Sequence, residues 1–300
     1  MTPERLTNQI AVELQKVLKT EDVAVIIDAK HLCVSSRGIK DDTSATVTAF
    51  YGGAFNSHEK IVELQNFICY RKIMKKVLIV GGSKGIGRAL INKIHTSYKV
   101  INISRTKPID LPDTVDHYSC DILSDELPEL DQLDALVYCP GSINLKPVGR
   151  LSESDFKNDF EINVLGAVRV IQTYLKALKS GVDPSVLMFS TVAVKLGMPF
   201  HSSIAVSKAG VEALVKSLGA EFAPTIRFNA IAPTITDTGL ADKLLRNDIM
   251  KEKMRERHPM KSYLQPDDVA DMAEFLISEK SKRISGQVVA LDCGIVSFKL

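Results

Sequence analysis

The 300-residue chain contains 45% hydrophobic residues, enough for a sizeable core in one large domain or two smaller ones. A net charge of +2 gives no strong field, so neither nucleic-acid nor membrane binding is expected. Five cysteines without paired spacing, no apolar run of membrane-spanning length and an N-terminus without a signal-peptide core predict a cytoplasmic protein.

Residues 1–69 are predicted to fold as helix, strand, strand and helix. Pro3 and Glu4 suit a first helical turn, and apolar residues then recur at helical spacing. The elements predicted after that helix are VAVIID (23–28), SATVTAF (44–50) and HEKIVELQNFI (58–68). This order indicates a small α+β unit, which a basic linker over residues 70–75 joins to the rest of the chain.

Residues 76–300 alternate strands with helices. The predicted strands cover 76–80, 98–104, 134–140, 186–191, 226–233 and 287–292. The predicted helices begin near Gly85 and cover 154–179, 204–222 and 267–278. Because each strand is nearly all apolar and helices separate the strands, we expect an α/β domain with a doubly wound parallel sheet, a Rossmann fold.

The first strand-to-helix turn of this domain carries the run VGGSKGIGRAL. Gly81 permits a tight turn, Gly85 lets the backbone approach a pyrophosphate, and Gly87 lets the helix pack close to the sheet. The helix N-terminus then offers free N–H groups to phosphates. A glycine run in this context predicts a dinucleotide site.

The end of the second strand of this domain selects among dinucleotides. An acidic residue there would hold the ribose 2′-OH of NAD, but the strand ends with Ser104 and Arg105. Arginine suits a 2′-phosphate through its charge and bidentate geometry, and Lys84 in the glycine loop adds a second cation. These residues predict NADP as the cofactor.

Residues 76–300 resemble a short-chain dehydrogenase/reductase. The resemblance rests on GGSKGIG, Cys-Asp-Ile (120–122), the glycine of Tyr-Cys-Pro-Gly (138–141), INVLGAV (162–168), IAPTITDT (231–238) and SGQVVALDCG (285–294). It implies that Asp121 contacts adenine and that the stretch with Pro233 and Thr238 closes over nicotinamide. The full set of expected cofactor contacts is Gly81, Ser83, Lys84, Gly85, Ile86, Gly87, Ser104, Arg105, Asp121, Gly141, Lys208, Pro233 and Thr238.

The catalytic positions of that family are only partly kept. Asn163 and Lys208 match the family's asparagine and lysine, and Thr191 falls at the serine position. The tyrosine that protonates the carbonyl stands four residues before the lysine, where this chain has Ile204. The resemblance therefore implies a lysine that binds ribose and a site without its usual acid. His201 is a candidate donor or an ordinary loop residue.

Residues 1–69 resemble the C-terminal part of GTP cyclohydrolase I, which implies a fragment of T-fold type. The resemblance runs through ERLTNQI (4–10), HLCVSSRGI (31–39) and TSATVTAFYGGAF (43–55). It implies catalysis and zinc ligation at His31 and Cys33, phosphate binding at Arg37 and guanine binding at Glu4. A catalytic zinc needs about three protein ligands. The family's other two ligands belong to an upstream segment that this sequence does not include, so we expect zinc only if another chain supplies them.

Three functions stay open on the sequence. The first is an oxidoreductase that favours NADPH and acts on a small molecule, with the fusion pointing to pteridine or tetrahydrofolate biosynthesis. The second is a cofactor-binding assembly protein without catalysis, and the third is a GTP cyclohydrolase subunit completed by another chain. The helices over 154–179 and 204–222 resemble the family's four-helix interface and predict a homo-oligomer.

Overall fold

The computed structural model describes residues 3–30, 45–64 and 74–298. The chain divides into two compact units, residues 1–73 and 74–300.

The first unit contains a helix on a two-stranded antiparallel sheet. Its elements are α1 (Pro3–Leu18), β1 (Ala24–Lys30), β2 (Ala45–Tyr51) and α2 (residues 58–64). Ala11 of α1 packs with Val23 and Val25 in a small core, and the buried Thr7 hydroxyl lies 2.5 Å from that of Thr48. The periodic apolar residues of α1 are exposed instead: Leu6, Ile10, Leu14 and Leu18.

The second unit is built on a seven-stranded sheet. Its strands are β3 (Lys76–Val80), β4 (Lys99–Ser104), β5 (Asp116–Ser119), β6 (Ala135–Tyr138), β7 (Ser185–Phe189), β8 (Arg227–Pro233) and β9 (Val288–Leu291). They are all parallel and are ordered β5-β4-β3-β6-β7-β8-β9. This arrangement confirms the predicted Rossmann-type α/β fold.

Helices cover both faces of this sheet. They are α3 (Gly85–Ile94), α4 (Glu153–Phe160), α5 (Gly166–Lys179), α6 (Ser202–Phe222), α7 (Asp248–Arg257) and α8 (Pro266–Ile277). One core includes apolar residues of α5 and α6, and the core on the opposite face includes those of α3 and α8. Within the described ranges, no helix is both long and apolar enough to cross a bilayer.

Three features of this unit differ from the sequence prediction. The edge strand β5 was missed because DHYS is short and largely exposed. Helix α7 was missed because it is strongly polar and buries none of its own residues. The predicted helix over 154–179 is interrupted by a single π-helical segment, Glu161–Leu165, between α4 and α5. Such segments are frequent at functional sites.

Strands β3 and β6 are adjacent in the sheet. The strands that follow β3 in sequence extend the sheet on one side, and those that follow β6 extend it on the other, so the strand order reverses between β3 and β6. In open α/β sheets, ligands bind in the crevice beyond the carboxyl ends of the strands at this point. The glycine loop after β3 and the segment after β6 therefore form the expected place for a site.

Candidate active site

The glycine loop has the backbone geometry that its sequence predicts. Gly81 and Gly85 have φ angles of +83° and +53°, which side chains disfavour. A Cβ on Gly87 would lie 2.7 Å from the Gly81 carbonyl oxygen, so only glycine allows this close packing of α3. A Cβ on Gly85 would lie 3.2 Å from the Thr238 methyl, which places the loop after β8 against the glycine loop.

Two cationic side chains are available for an anion here, Arg105 directly after β4 and Lys84 within the glycine loop. The buried Ser104 hydroxyl donates to the Thr106 carbonyl at 3.0 Å and accepts from Asn102 Nδ2 at 3.2 Å, so it is already engaged. Arg105 and Lys84 are exposed, and neither side chain is paired with another described residue. Their charges are therefore free to meet an anionic group.

A cavity of about 610 Å³ extends from the glycine loop to α6 and α7. The sequence-predicted residues that line it are Gly81, Lys84, Gly85, Ile86, Gly87, Gly141, Thr191, Lys208, Pro233 and Thr238. Those placed outside its lining are Ser83, Ser104, Arg105, Asp121 and Asn163. Asp121 accepts a hydrogen bond from the Leu123 N–H at 3.0 Å in the loop after β5.

The residues that the sequence assigned in the first unit fall mostly outside this description. Glu4 lies in the first turn of α1 and is exposed. The candidate zinc ligand Cys33, together with His31 and Arg37, lies outside the described residues.

One face of α6 carries the catalytic positions. His201, at the N-cap of α6, Ile204 and Lys208 are spaced so that all three face the cavity, and Ile204 is only 4% exposed. Lys208 Nζ donates to the Phe189 carbonyl at 2.7 Å. Burial lowers the pKa of Lys208 to about 8, and the Cys139 thiol and the Asp159 carboxylate act in the opposite direction.

Asn163 lies in the π-helical segment directly behind Gly141. Its Nδ2 donates to the Asp159 carbonyl at 2.7 Å and to the Ser142 hydroxyl at 3.1 Å. Its buried Oδ1 has no hydrogen-bond partner among the described residues. A Cβ on Gly141 would lie 3.2 Å from this oxygen and 3.5 Å from Lys208 Nζ. Glycine thus lets both polar atoms border the same small space.

The structure adds functional candidates that the sequence did not single out. Ser142 and the buried Asp159 join Asn163, and Asp159 precedes Asn163 by one helical turn, a spacing that could have flagged it. On the far cavity wall, His258 Nδ1 donates to the Met254 carbonyl at 2.6 Å. Its Nε2 lies 2.8 Å from the Thr234 hydroxyl, within hydrogen-bond distance.

This constellation defines a class of site, a nicotinamide dinucleotide cleft at the switch point of a Rossmann sheet. A family model described as enoyl-(acyl carrier protein) reductase matches residues 115–296, more than half of the chain. The protein belongs to the short-chain dehydrogenase/reductase family.

Curated relatives of the second unit are oxidoreductases that the chain covers almost completely. Carbonyl reductase (NADPH) 2 of Sus scrofa is 25% identical over 235 residues, which is 74% of this chain and 96% of the relative. The 3-oxoacyl-(acyl-carrier-protein) reductase FabG of Thermotoga maritima is 29% identical over 246 residues, 74% of this chain and 98% of the relative.

Solved structures give the same fold. ElxO with NADP bound matches with a TM-score of 0.68 and 26% identity, over 75% of this chain and all of that one. Aldohexose dehydrogenase of Thermoplasma acidophilum matches with a TM-score of 0.69 at 23% identity, over 77% of this chain and 97% of that one.

The N-terminal segment is similar to a different protein family from the one that the second unit matches. A GTP cyclohydrolase I family model matches residues 1–68. GTP cyclohydrolase 1 of Flavobacterium johnsoniae is 60% identical over 65 residues, 22% of this chain. The chain spans 29% of that relative's length. The predicted fusion of two families is therefore confirmed, while the T-fold assignment stays a prediction.

Proposed function

We propose that this protein is an NADPH-dependent oxidoreductase that reduces a C=O or C=N bond of a small molecule without a tyrosine acid. The observation that carries this proposal is one cavity that the glycine loop, Thr191, Lys208 and Ile204 all line. The relatives with NADPH or NADP in their printed names support the same cofactor.

The described residues fit NADPH. The glycine loop is tightly packed, because a Cβ at Gly81 would lie 3.1 Å from Pro140 and one at Gly87 2.7 Å from the Gly81 carbonyl oxygen, and the loop borders the cavity. The exposed guanidinium of Arg105 and ammonium of Lys84 suit a 2′-phosphate, because a charged group there gains paired hydrogen bonds. Lys208, which lines the cavity, carries an ammonium that suits the polar groups of a ribose. When bound, the cofactor supplies the hydride.

The protein residues would orient the substrate and exclude water. The Thr191 hydroxyl accepts a hydrogen bond from the Ala193 N–H at 3.3 Å, which leaves its own hydrogen free to donate to a substrate oxygen or nitrogen. Apolar side chains that line the cavity include Ile143, Met198, Leu240 and Leu244. They favour a flat or partly apolar substrate over a sugar-like one.

The N-terminal unit supports a particular substrate class. Because the segment resembles GTP cyclohydrolase 1, we propose a dihydropterin as the substrate and a role in pteridine or tetrahydrofolate metabolism. A reduced C=N bond takes its proton on nitrogen, a more basic atom than a ketone oxygen. Such a substrate therefore tolerates the absence of a phenol better than a simple ketone does.

We also propose a homo-oligomer as the working form. Leu165 beside α5 is 52% exposed and Val206 on α6 is 58% exposed. Within one chain, Gly210, one turn after Val206, packs close to Phe160: a Cβ on Gly210 would lie 3.4 Å from the Phe160 ring. The exposed apolar residues on these helices suit a contact with a second copy.

The test is NADPH oxidation followed at 340 nm with dihydropterins, cyclic imines and simple carbonyls, in the unmodified protein and in Lys208→Met. We expect saturable oxidation with a dihydropterin or imine, and its loss in the variant. NADPH binding without oxidation of any compound would favour the rival candidate, a cofactor-binding assembly protein, which the isoleucine at position 204 supports.

A further inference from the structure

A buried carboxylate is linked by a hydrogen bond to Ser142, which lines the cavity. Asp159, in the last turn of α4, is 3% exposed. The Ser142 hydroxyl donates to Asp159 Oδ1 at 2.5 Å, and Asn163 Nδ2 donates to the Ser142 oxygen at 3.1 Å. The second carboxylate oxygen, Oδ2, is buried and has no hydrogen-bond partner among the described residues.

An ionised carboxylate in this setting is stabilised by a nearby positive charge. Moving an ionised group out of water is strongly unfavourable unless a counter-charge or several hydrogen bonds compensate it, and Asp159 Oδ2 has none of the latter within the described ranges. Lys208 is a cation on which Asp159 acts electrostatically, in the direction that favours the ammonium form. Both are buried, so solvent screens their interaction weakly.

Other groups that surround Lys208 do not replace this carboxylate. Burial raises the pKa of the Cys139 thiol to about 12, so this neighbour is neutral near pH 7. The other neighbours on facing elements, the Phe189 carbonyl and Asn163, carry no charge. On α6 itself, His201 stands near one end, and Glu212 accepts a hydrogen bond from the Ser190 hydroxyl at 2.7 Å.

We propose that Lys208 is itself the proton donor of this site. We further propose that Asp159 is a positioning residue that acts through Ser142 and Asn163 to keep the lysine an ammonium ion facing the cavity. The donor role rests on the proposed reductase function, whereas the role of Asp159 is testable without turnover. Ile204 offers no proton, and Lys208 follows it on the same wall of the cavity.

The chemistry balances without a further reactant. The hydride that bound NADPH would supply, leaving NADP⁺, adds to the carbon of C=O or C=N. The π electron pair moves to oxygen or nitrogen, and one N–H bond of the Lys208 ammonium breaks to supply the proton. The lysine is left as a neutral amine and regains a proton from solvent. Its ammonium has three N–H groups, and the Phe189 carbonyl accepts one, so protons are available for transfer. A donor that titrates near pH 8 is suited to this role.

The first experiment measures the ionisation of Lys208 directly, by NMR of lysine labelled at Cε and Nζ between pH 6 and 10. Lys208→Met identifies the signal. We expect a midpoint near 8 in the unmodified protein and one lower by roughly one pH unit in Asp159→Asn, because an opposite charge has been removed. Ser142→Ala should shift the midpoint in the same direction by less, and serves if Asp159→Asn does not fold.

Asp134→Asn is the matched control. Asp134 is also a buried aspartate, 4% exposed, but it lies directly before the central strand β6, at the amino ends of the strands, and accepts from the Lys76 N–H. This variant should leave the Lys208 midpoint unchanged. An unchanged midpoint in Asp159→Asn and Ser142→Ala would overturn the role of Asp159.

The second experiment measures the pH dependence of NADPH oxidation with whichever compound the substrate screen identifies. If the ammonium is the donor, kcat falls as pH rises through the midpoint found by NMR, and in Asp159→Asn it falls at the correspondingly lower pH. Lys208→Arg retains the charge, but a guanidinium does not give up its proton in this pH range, so the variant should bind NADPH and lose about 10²-fold or more in kcat. A kcat that does not change as pH passes through the Lys208 midpoint, or an active Lys208→Arg variant, refutes the donor role. Absence of turnover with every compound refutes the reductase function and with it the donor role, and leaves the NMR result to decide on Asp159.

Discussion

Replacing Ile204 with tyrosine tests what the isoleucine does in this site. The side chain is 4% exposed and borders the cavity of about 610 Å³, so a larger ring has room to extend into it. The position precedes Lys208 by one helical turn, about 6 Å along the axis at 1.5 Å per residue. A phenol there would lie between the lysine and the substrate, and the ammonium would lower its pKa.

The expected increase in the rate of ketone reduction follows from the rate factor that a positioned general acid contributes. Such a group contributes about 10²–10⁴-fold in rate, which corresponds to about 3–5 kcal/mol of barrier. A simple ketone bound near position 204 is about one helical turn from the lysine, so it benefits most from the phenol. We expect NADPH oxidation with simple ketones to rise by at least about 10²-fold in Ile204→Tyr. NADPH affinity should change little, because the glycine loop is untouched.

The matched control is Ile204→Phe, which introduces the same ring without the hydroxyl. Both variants carry a similar packing cost of about 1–3 kcal/mol, read from thermal unfolding. Rates are compared by absorbance at 340 nm under saturating NADPH. Equal rates in the two variants would refute the reasoning, as would ketone reduction by the unmodified protein at rates typical of enzymes, about 1–10³ per second.

The assembly of the protein and the pH dependence of its stability can both be tested with single variants. Val206→Glu should convert an oligomer to a monomer in light scattering, because it places a charge in an exposed apolar patch; a monomeric unmodified protein contradicts the proposal. The unfolded state retains the Lys208 proton up to the ordinary pKa near 10.5, whereas the folded state loses it near 8. Relative to Lys208→Met, the free energy of unfolding should therefore rise by up to about 3 kcal/mol as pH increases from 8 to above 10.5. A pH-independent difference refutes the shifted pKa.

The sequence predicts those parts of the fold in which a run of apolar residues is also buried in the structure. The apolar strands β3, β6 and β7 are buried along nearly their whole lengths, so their composition reports their position in the sheet. The glycine loop was predictable because tight turns and close approach require glycine at defined places. Edge strand β5 and the polar helix α7 lack this signal.

Other features depend on tertiary placement that a linear pattern does not carry. The apolar spacing in α1 predicted a helix, yet the residues that pack against the sheet are Thr7 and Ala11. Ser142 and Asp159 stand 17 residues apart, and only the turn after β6 and the last turn of α4 bring them together. The hydrogen-bond network of Asp159, Ser142 and Asn163 therefore could not be predicted from the sequence.

Cofactor preference is measured by a calorimetric titration of the unmodified protein with NADPH and with NADH. One charge-assisted hydrogen bond to the 2′-phosphate contributes about 1.5–3 kcal/mol, so NADPH should bind at least about 10-fold more tightly. Arg105→Asp should remove this preference, because it replaces the exposed cation at the end of β4 with an anion. Equal dissociation constants for the two cofactors, or no binding of either, would contradict the claim that this cleft is an NADPH site.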